Sequence, residues 1–276
     1  MVSENIQSVL IMEDDADWDI NFKGQLLEFA RGSRYVLGQE HEKTSSPYGD
    51  GWDLLWLGHC GARNHEDMDT RHWVIENDPT AVPPELWSWF RRQPNMSPPG
   101  LNTTKYNRLV YKPVRGLCTY GYAVTIQGAR RLLWEQNLGK AQPSDRALNS
   151  FCQYQGGVCV APYPALIGSH KPAGDTAKDS DRVDPSKPGT VRTVGQTLEI
   201  VFSTKLNLRE LVFGKPGEKT RVKSQWPEKT MLKEAYGMVE IPRGHGIEVK
   251  KDSFILPSPP NAKRDLGGSD FENDVE

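Results

Sequence analysis

Glu13, Asp14 and Asp15 stand side by side at the end of a short apolar run, Val9 to Met12. Adjacent carboxylates repel one another, and taking them out of water is costly, so the pattern calls for a cation among them. Glu13 and Asp15 are two residues apart. In an extended backbone they face the same side with roughly 6 to 7 Å between their Cα atoms, within reach of one shared ion, while Asp14 faces the other way. All-oxygen, acidic ligation favours Mg²⁺ or Mn²⁺ over zinc, and such ions keep positions open for phosphate oxygens. The chemistry implied is the handling of a phosphate-bearing substrate; the plain alternative is an acidic strand end with a solvated turn.

A further carboxylate has a position suited to chemistry. Asp145 follows Pro143-Ser144 and opens a run in which Ala147, Leu148, Phe151 and Cys152 recur at helical spacing. It either caps that helix or projects from its start as a base.

The acids need a strand to carry them. Val9 to Met12 reads as a buried strand that delivers charge to the C-terminal edge of a sheet, where open α/β sheets hold ligands. Behind it, Ile20, Leu26, Leu27, Phe29 and Ala30 share a helical face, and Asp17 and Asp19 either extend an ion site or favour that helix's dipole. Gly38 to Gly51 is rich in turn formers and predicts a mobile loop. Trp52 to Gly58 predicts a second strand of the same sheet, covered on both faces. His59, Cys60, His65 and His72 follow without a standard zinc spacing. Pro83-Pro84-Glu85 introduces a short helix carrying Leu86, Trp89 and Phe90. Cys118 to Ile126 predicts a strand in which Gly121 admits close backbone or ligand approach, and Gln127 to Trp134 a helix whose Arg130 and Arg131 are solvated. Val158 to Pro164 is the last core strand.

Domain organisation follows from composition. Residues 1–213 are expected to form one α/β domain, with a flexible loop near 171–189, and residues 214–276 a polar, largely disordered extension. The chain has 276 residues, 37% hydrophobic and 25% charged, with a net charge of −2, so it can bury a core and has no global field that attracts nucleic acid or an anionic membrane. It has no membrane-spanning run, and Met1 to Gln7 lacks the pattern of a signal peptide. The four cysteines have no CxxC spacing and permit two disulfides. Asn102-Thr103-Thr104 and Asn95-Met96-Ser97 are glycosylation sequons that matter only in a secretory lumen.

Several of these stretches, in this order, resemble glycosyltransferase family 25, which includes bacterial lipooligosaccharide and collagen galactosyltransferases. Val9 to Asp15 is similar to the family's strand ending in Glu-Asp-Asp, and Trp52 to Gly58 to its Tyr-Asp-Ile-Leu-Leu-Leu-Gly strand. Gly121 to Val124 with Gly128 to Leu133 resembles its Ala-Tyr strand and following helix, Pro143-Ser144-Asp145 its Pro-x-Asp element, and Tyr163 to His170 with Ser180-Asp181 its closing segment. The resemblance covers about residues 8 to 210. It implies a GT-A type, Rossmann-like mixed sheet flanked by helices, and an inverting transfer of a hexosyl group, plausibly galactosyl, from a UDP-sugar to a hydroxyl of a glycan or glycoprotein acceptor. On this resemblance Glu13, Asp14 and Asp15 hold the nucleotide-sugar and its Mn²⁺ or Mg²⁺, His170 supplies a third metal ligand, and Asp145 is the base. A secretory or Golgi setting is implied by the resemblance alone. Two departures stand out: Thr119-Tyr120-Gly121-Tyr122 replaces the family's Thr-His-Ala-Tyr, and the strands that precede the acids in the family have no counterpart, so the domain is expected to be N-terminally incomplete. A non-catalytic remnant that binds glycan or a partner, and a Mg²⁺-dependent phosphohydrolase, are the rival expectations.

Overall fold

A computed structural model describes residues 1–65, 70–87, 94, 105–137, 142–179, 189–215 and 218–250. Both sequons, Trp89, Phe90, Ser180, Asp181 and residues 251–276 lie outside the described residues. Strand β1 (Ser8–Met12) leads through the acidic turn into β2 (Ala16–Trp18) and helix α1 (Phe22–Val36). Strands β3 (Leu54–Gly58), β4 (Gly61–Asn64) and β5 (Thr70–Ile75) follow, then β6 (Arg108–Tyr111), β7 (Pro113–Leu117) and β8 (Gly121–Thr125). Helices α2 (Ile126–Asn137) and α3 (Ser144–Gln153) precede β9 (Cys159–Tyr163) and β10 (Ile167–Lys171). Beyond them lie β11 (Gly174–Asp175), β12 (Val191–Arg192), β13 (Gln196–Thr197), α4 (Leu208–Phe213), β14 (Arg221–Lys223), β15 (Glu234–Tyr236) and β16 (His245–Val249).

Seven strands form the main sheet in the order β1-β8-β3-β9-β6-β5-β16. The fold is mixed α/β, and the sheet is mainly antiparallel, with β3 and β9 its parallel pair. All five residues of β3 are buried, as a strand covered on both faces must be. Leu55 and Leu57 pack with Phe29 and Val36 of α1, whereas Leu54 and Trp56 pack with Leu148 and Phe151 of α3. Alternate residues thus enter opposite layers, and each buried leucine contributes about 1.5 to 3 kcal/mol. Close approach explains two glycines. A Cβ on Gly128 would lie 2.4 Å from the Asp53 carbonyl oxygen, and one on Gly121 would lie 2.5 Å from Cδ1 of Ile167, so Gly121 makes room for packing.

Three expectations need correction. Val9 to Met12 is not a buried strand: β1 is the sheet's edge, paired only with β8, and Leu10 and Ile11 remain 47% and 41% exposed. Arg131 is not simply solvated, because its guanidinium bonds Asp53 at 2.5 Å and the carbonyls of Gln155 and Gly156, and lies over the Phe151 ring. The boundary at 213 also fails. Strand β16 pairs with β5 from His245↔Val74 to Val249↔Thr70, and Val222 and Ala235 join a core cluster with Val201 and Phe202. An added edge strand takes its order from the neighbouring ladder, so it needs no apolar periodicity of its own. The expected loop near 171–189 likewise begins with structure, since β11 pairs with β12.

Buried titratable groups make the fold acid-sensitive. Burial pushes His59 and His72 down to about 4, against which His59 gains a 2.8 Å bond to the Pro162 carbonyl. Burial pushes Asp19 the other way, up to about 6, opposed by N–H donors of Asn21 and Phe202. Below pH 6.5 the unfolded chain protonates two histidines that the fold keeps neutral until about pH 4, so stability falls across that window. Asp19 contributes stability that grows as pH falls from about 6 to 3.8, because only the fold takes up its proton there. Two histidines outweigh one aspartate, for a net loss on the order of a few kcal/mol. Thermal melts should therefore show Tm falling from pH 6.5 to 4; a flat or rising Tm would contradict this assignment.

Candidate functional site

Strand β1 is antiparallel to β8, and β8 to β3, so β1, β3 and β9 run the same way and end at one edge of the sheet. The acidic turn leaves that edge. Its ladder with β8 continues past Met12, because the Glu13 N–H donates to the Tyr120 carbonyl at 3.1 Å, and this sets the loop Cys118 to Tyr120 beside the carboxylates. Strand β2 then pairs antiparallel with β10, from Ile167↔Trp18 to Ser169↔Ala16, and the His170 N–H donates to the Asp15 carbonyl at 2.8 Å. A cleft of about 590 Å³ results, with Glu13, Asp14, Asp15, Asp145 and His170 all in its lining. Residues distant in sequence therefore meet in one place.

Glu13 accepts a 2.5 Å hydrogen bond from the Thr119 hydroxyl at Oε1. Asp15 Oδ2 accepts from Ser169 Oγ at 2.6 Å and from Lys171 Nζ at 2.8 Å, while its buried Oδ1 has no hydrogen-bond partner. Burial pushes the Asp15 carboxyl up, but hydrogen bonds from Lys171 and Ser169, with the charges of Lys171 and Lys205, outweigh it and hold the group below its ordinary value. Asp14 is exposed at the rim, where Lys205 Nζ lies 3.4 Å from its carbonyl oxygen.

Asp145 stands in the first turn of α3; the residue at the cap is Pro143, so Asp145 does not close the helix as an N-cap. Its Oδ2 accepts from the Cys118 N–H at 3.4 Å. Cys118 is fixed by a disulfide to Cys60 and by a 2.9 Å bond from Trp56 Nε1 to its carbonyl, which together hold it at φ 64°. The loop that brings Thr119 to Glu13 is thereby anchored at its Cys118 end.

No family model, curated protein or solved structure matches the chain. What the cleft can do rests on its own geometry. Among the described residues, no three His, Cys, Asp or Glu side chains stand together as a ready-made metal site. The carboxylates nonetheless fit a hard cation, because Asp15 Oδ1 is a buried, unpartnered anionic oxygen and Glu13 uses one oxygen on Thr119. Two carboxylates with substrate phosphates and water suffice for Mg²⁺ or Mn²⁺.

His170 is oriented by a network. Its Nδ1 lies 2.9 Å from Thr197 Oγ1, and that hydroxyl donates to Asp17 Oδ2 at 2.6 Å. With the threonine proton so used, Nδ1–H is the donor and Nε2 keeps its lone pair, as in histidines held for ligation. Burial lowers the His170 pKa, and the positive charges of Lys205 and Arg192 help, against Asp17 and Asp15. A neutral imidazole is the ligating form.

Asp17 and Asp19 do not extend the ion site. Both are fully buried, Asp17 binding Thr197, Ser203 and the Lys205 N–H, and Asp19 binding Asn21 and the Phe202 N–H. They fasten the 197–207 segment to the acidic turn, and helix-dipole compensation is not their role, since no acid lies in the first turn of α1. Sequence reasoning missed Thr119, Ser169 and Lys171. Their side chains reach the carboxylates only through the β1–β8 and β2–β10 registers, and the one local trace is that Ser169 and Lys171 flank His170 at strand spacing.

Proposed function

We propose that this chain is a metal-dependent hexosyltransferase with a GT-A type domain, which moves a hexosyl group, galactosyl as the first candidate, from a UDP-sugar to a glycan or glycoprotein hydroxyl. The observation that carries the reading is the convergence of the acidic turn, Asp145 and His170 on one cleft at the edge where β1, β3 and β9 end. That edge is where α/β sheets hold ligands.

Glu13 and Asp15 would hold the ion, with His170 Nε2 in reserve as a third ligand, and the ion would supply charge neutralisation to the departing diphosphate. Lys171, already on Asp15, adds a second positive charge to that end of the cleft. The acceptor oxygen attacks the anomeric carbon, the bond to the diphosphate oxygen breaks, and the acceptor proton passes to Asp145. Inversion needs a base that is not itself a ligand of the leaving group's ion, and Asp145 is carried by α3 rather than by the acidic turn. Two disulfides, Cys60–Cys118 and Cys152–Cys159, with no free cysteine among the described residues, support an oxidising compartment such as the secretory lumen.

One observation favours a second reading. Lys171 already neutralises Asp15, so that carboxylate does not require an ion, as suits a non-catalytic remnant that binds a glycan or a partner. Incubation with a panel of UDP-hexoses, Mn²⁺ and hydroxyl acceptors separates the two: the transferase releases UDP in a Mn²⁺-dependent manner, first with UDP-galactose. A folded chain that releases no UDP from any donor belongs to the second reading.

A further inference from the structure

Helix α4, Leu208–Phe213, buries none of its residues. Leu208, Val212 and Phe213 are 52%, 61% and 79% exposed, and Tyr236, which lines the same hollow as Phe213, is 55% exposed. This is no frayed segment. Buried Asn207 anchors the helix start, its Nδ2 donating to the Ser203 and Lys223 carbonyls and its Oδ1 accepting from the Lys223 N–H at 2.9 Å. The structure therefore holds apolar side chains out in water at a cost, in a cluster of the kind that marks an interaction surface.

Charge identifies what covers it. The hollow beside α4 is lined by Arg209, Lys215, Lys219 and Arg221 against Glu210 and Glu218, so it carries a positive balance in a chain whose total is −2. Of these four cations Arg221 pairs with Glu234 and Lys215 with Glu218, and Arg209 and Lys219 have no carboxylate partner among the described residues. Both line this shallow hollow of about 420 Å³ between Phe213 and Tyr236. Apolar tips that project from a helix, with cations outnumbering acids around them, fit a yielding anionic surface better than a rigid partner, which would need a groove.

We infer that α4 and the β14–β15 hairpin form a peripheral docking face for an anionic lipid bilayer. Val212 and Phe213 enter the headgroup region, and Arg209 and Lys219 meet lipid phosphates. No helix among the described residues is long and apolar enough to cross a membrane. The inference does not depend on the transferase reading.

Co-sedimentation of the full chain with phosphatidylcholine vesicles, with and without phosphatidylserine, tests it. The chain is expected to bind the phosphatidylserine vesicles at least about tenfold better, with binding that weakens as salt rises. Val212→Ser with Phe213→Ser should lower that binding about tenfold or more, and Arg209→Glu with Lys219→Glu should abolish the preference for phosphatidylserine. Leu133→Ser with Trp134→Ser, equally exposed but on α2, should leave it unchanged. All these side chains are exposed, and a melt matching the parent's will show that each variant folds. Equal sedimentation with both vesicle types, or unchanged binding by the Val212/Phe213 variant, overturns the inference. So does retention on polyglutamate, or dimerisation lost in that variant, without vesicle binding; these would assign the face to an acidic polypeptide or to a second copy.

Discussion

Asp145→Asn is expected to lower hexosyl transfer about a hundredfold to ten-thousandfold while leaving UDP binding in Mn²⁺ within about twofold of the parent. Asparagine keeps the size of the side chain and an oxygen to accept from the Cys118 N–H, but it cannot take the acceptor's proton. The split between turnover and binding follows from the architecture. Asp145 is carried by α3, and the acids proposed to hold the diphosphate's ion are carried by the turn after β1. Asp145→Glu, which keeps the carboxylate but displaces it, should recover part of the rate. Turnover unchanged in Asp145→Asn would remove this residue from the chemistry and leave the cleft without an assigned base.

The largest loss of stability is expected at Arg108, with Arg108→Met costing roughly 3 to 5 kcal/mol in denaturant unfolding. Arg108 and Asp78 are 1% and 0% exposed and form a 2.7 Å ion pair. The guanidinium also bonds the Pro164 carbonyl at 2.5 Å and the Thr80 carbonyl at 2.8 Å, and Thr80 in turn accepts from Gln25 of α1 at 2.9 Å. One side chain thus joins β6, α1 and the turn that feeds β10, the strand bearing His170 and Lys171. Removing it leaves Asp78 buried without a counter-charge, which is the main source of the expected cost. Arg108→Met combined with Asp78→Leu should lose less than Arg108→Met alone, because no unpaired charge then remains. A double variant no more stable than the single one would show that the bonds to the carbonyls and from Thr80 to Asp78, not the ion pair, carry the energy.

Local pattern made much of this molecule legible. Trp52 to Gly58 reads as a strand covered on both faces, and β3 is that strand; the helix after Pro143 and the strand from Val158 are likewise present. The reason is that burial on two sides demands a continuous apolar run, and helical packing demands its own spacing. What stayed hidden depends on partners remote in sequence. The exposure of Leu10 and Ile11 follows from β1 having a neighbour on one side only, which no property of the run itself reveals. Strand β16 is ordered by pairing with β5, and the polar sequence of that segment gives no sign of it. The acidic turn was visible as a candidate site, and Asp145 and His170 join it in the cleft. Lys171, which holds Asp15 in its charged form, was not visible, because the contact spans β2 and β10.

The transferase reading requires the acidic turn to bind a nucleoside diphosphate through a divalent ion. Calorimetric titration of the chain with UDP, with and without Mn²⁺, compared with Asp15→Asn, tests it most directly. UDP is expected to bind only with Mn²⁺ present, and the substitution is expected to abolish that binding. UDP that fails to bind the folded parent in Mn²⁺, or that binds Asp15→Asn equally well, would contradict it.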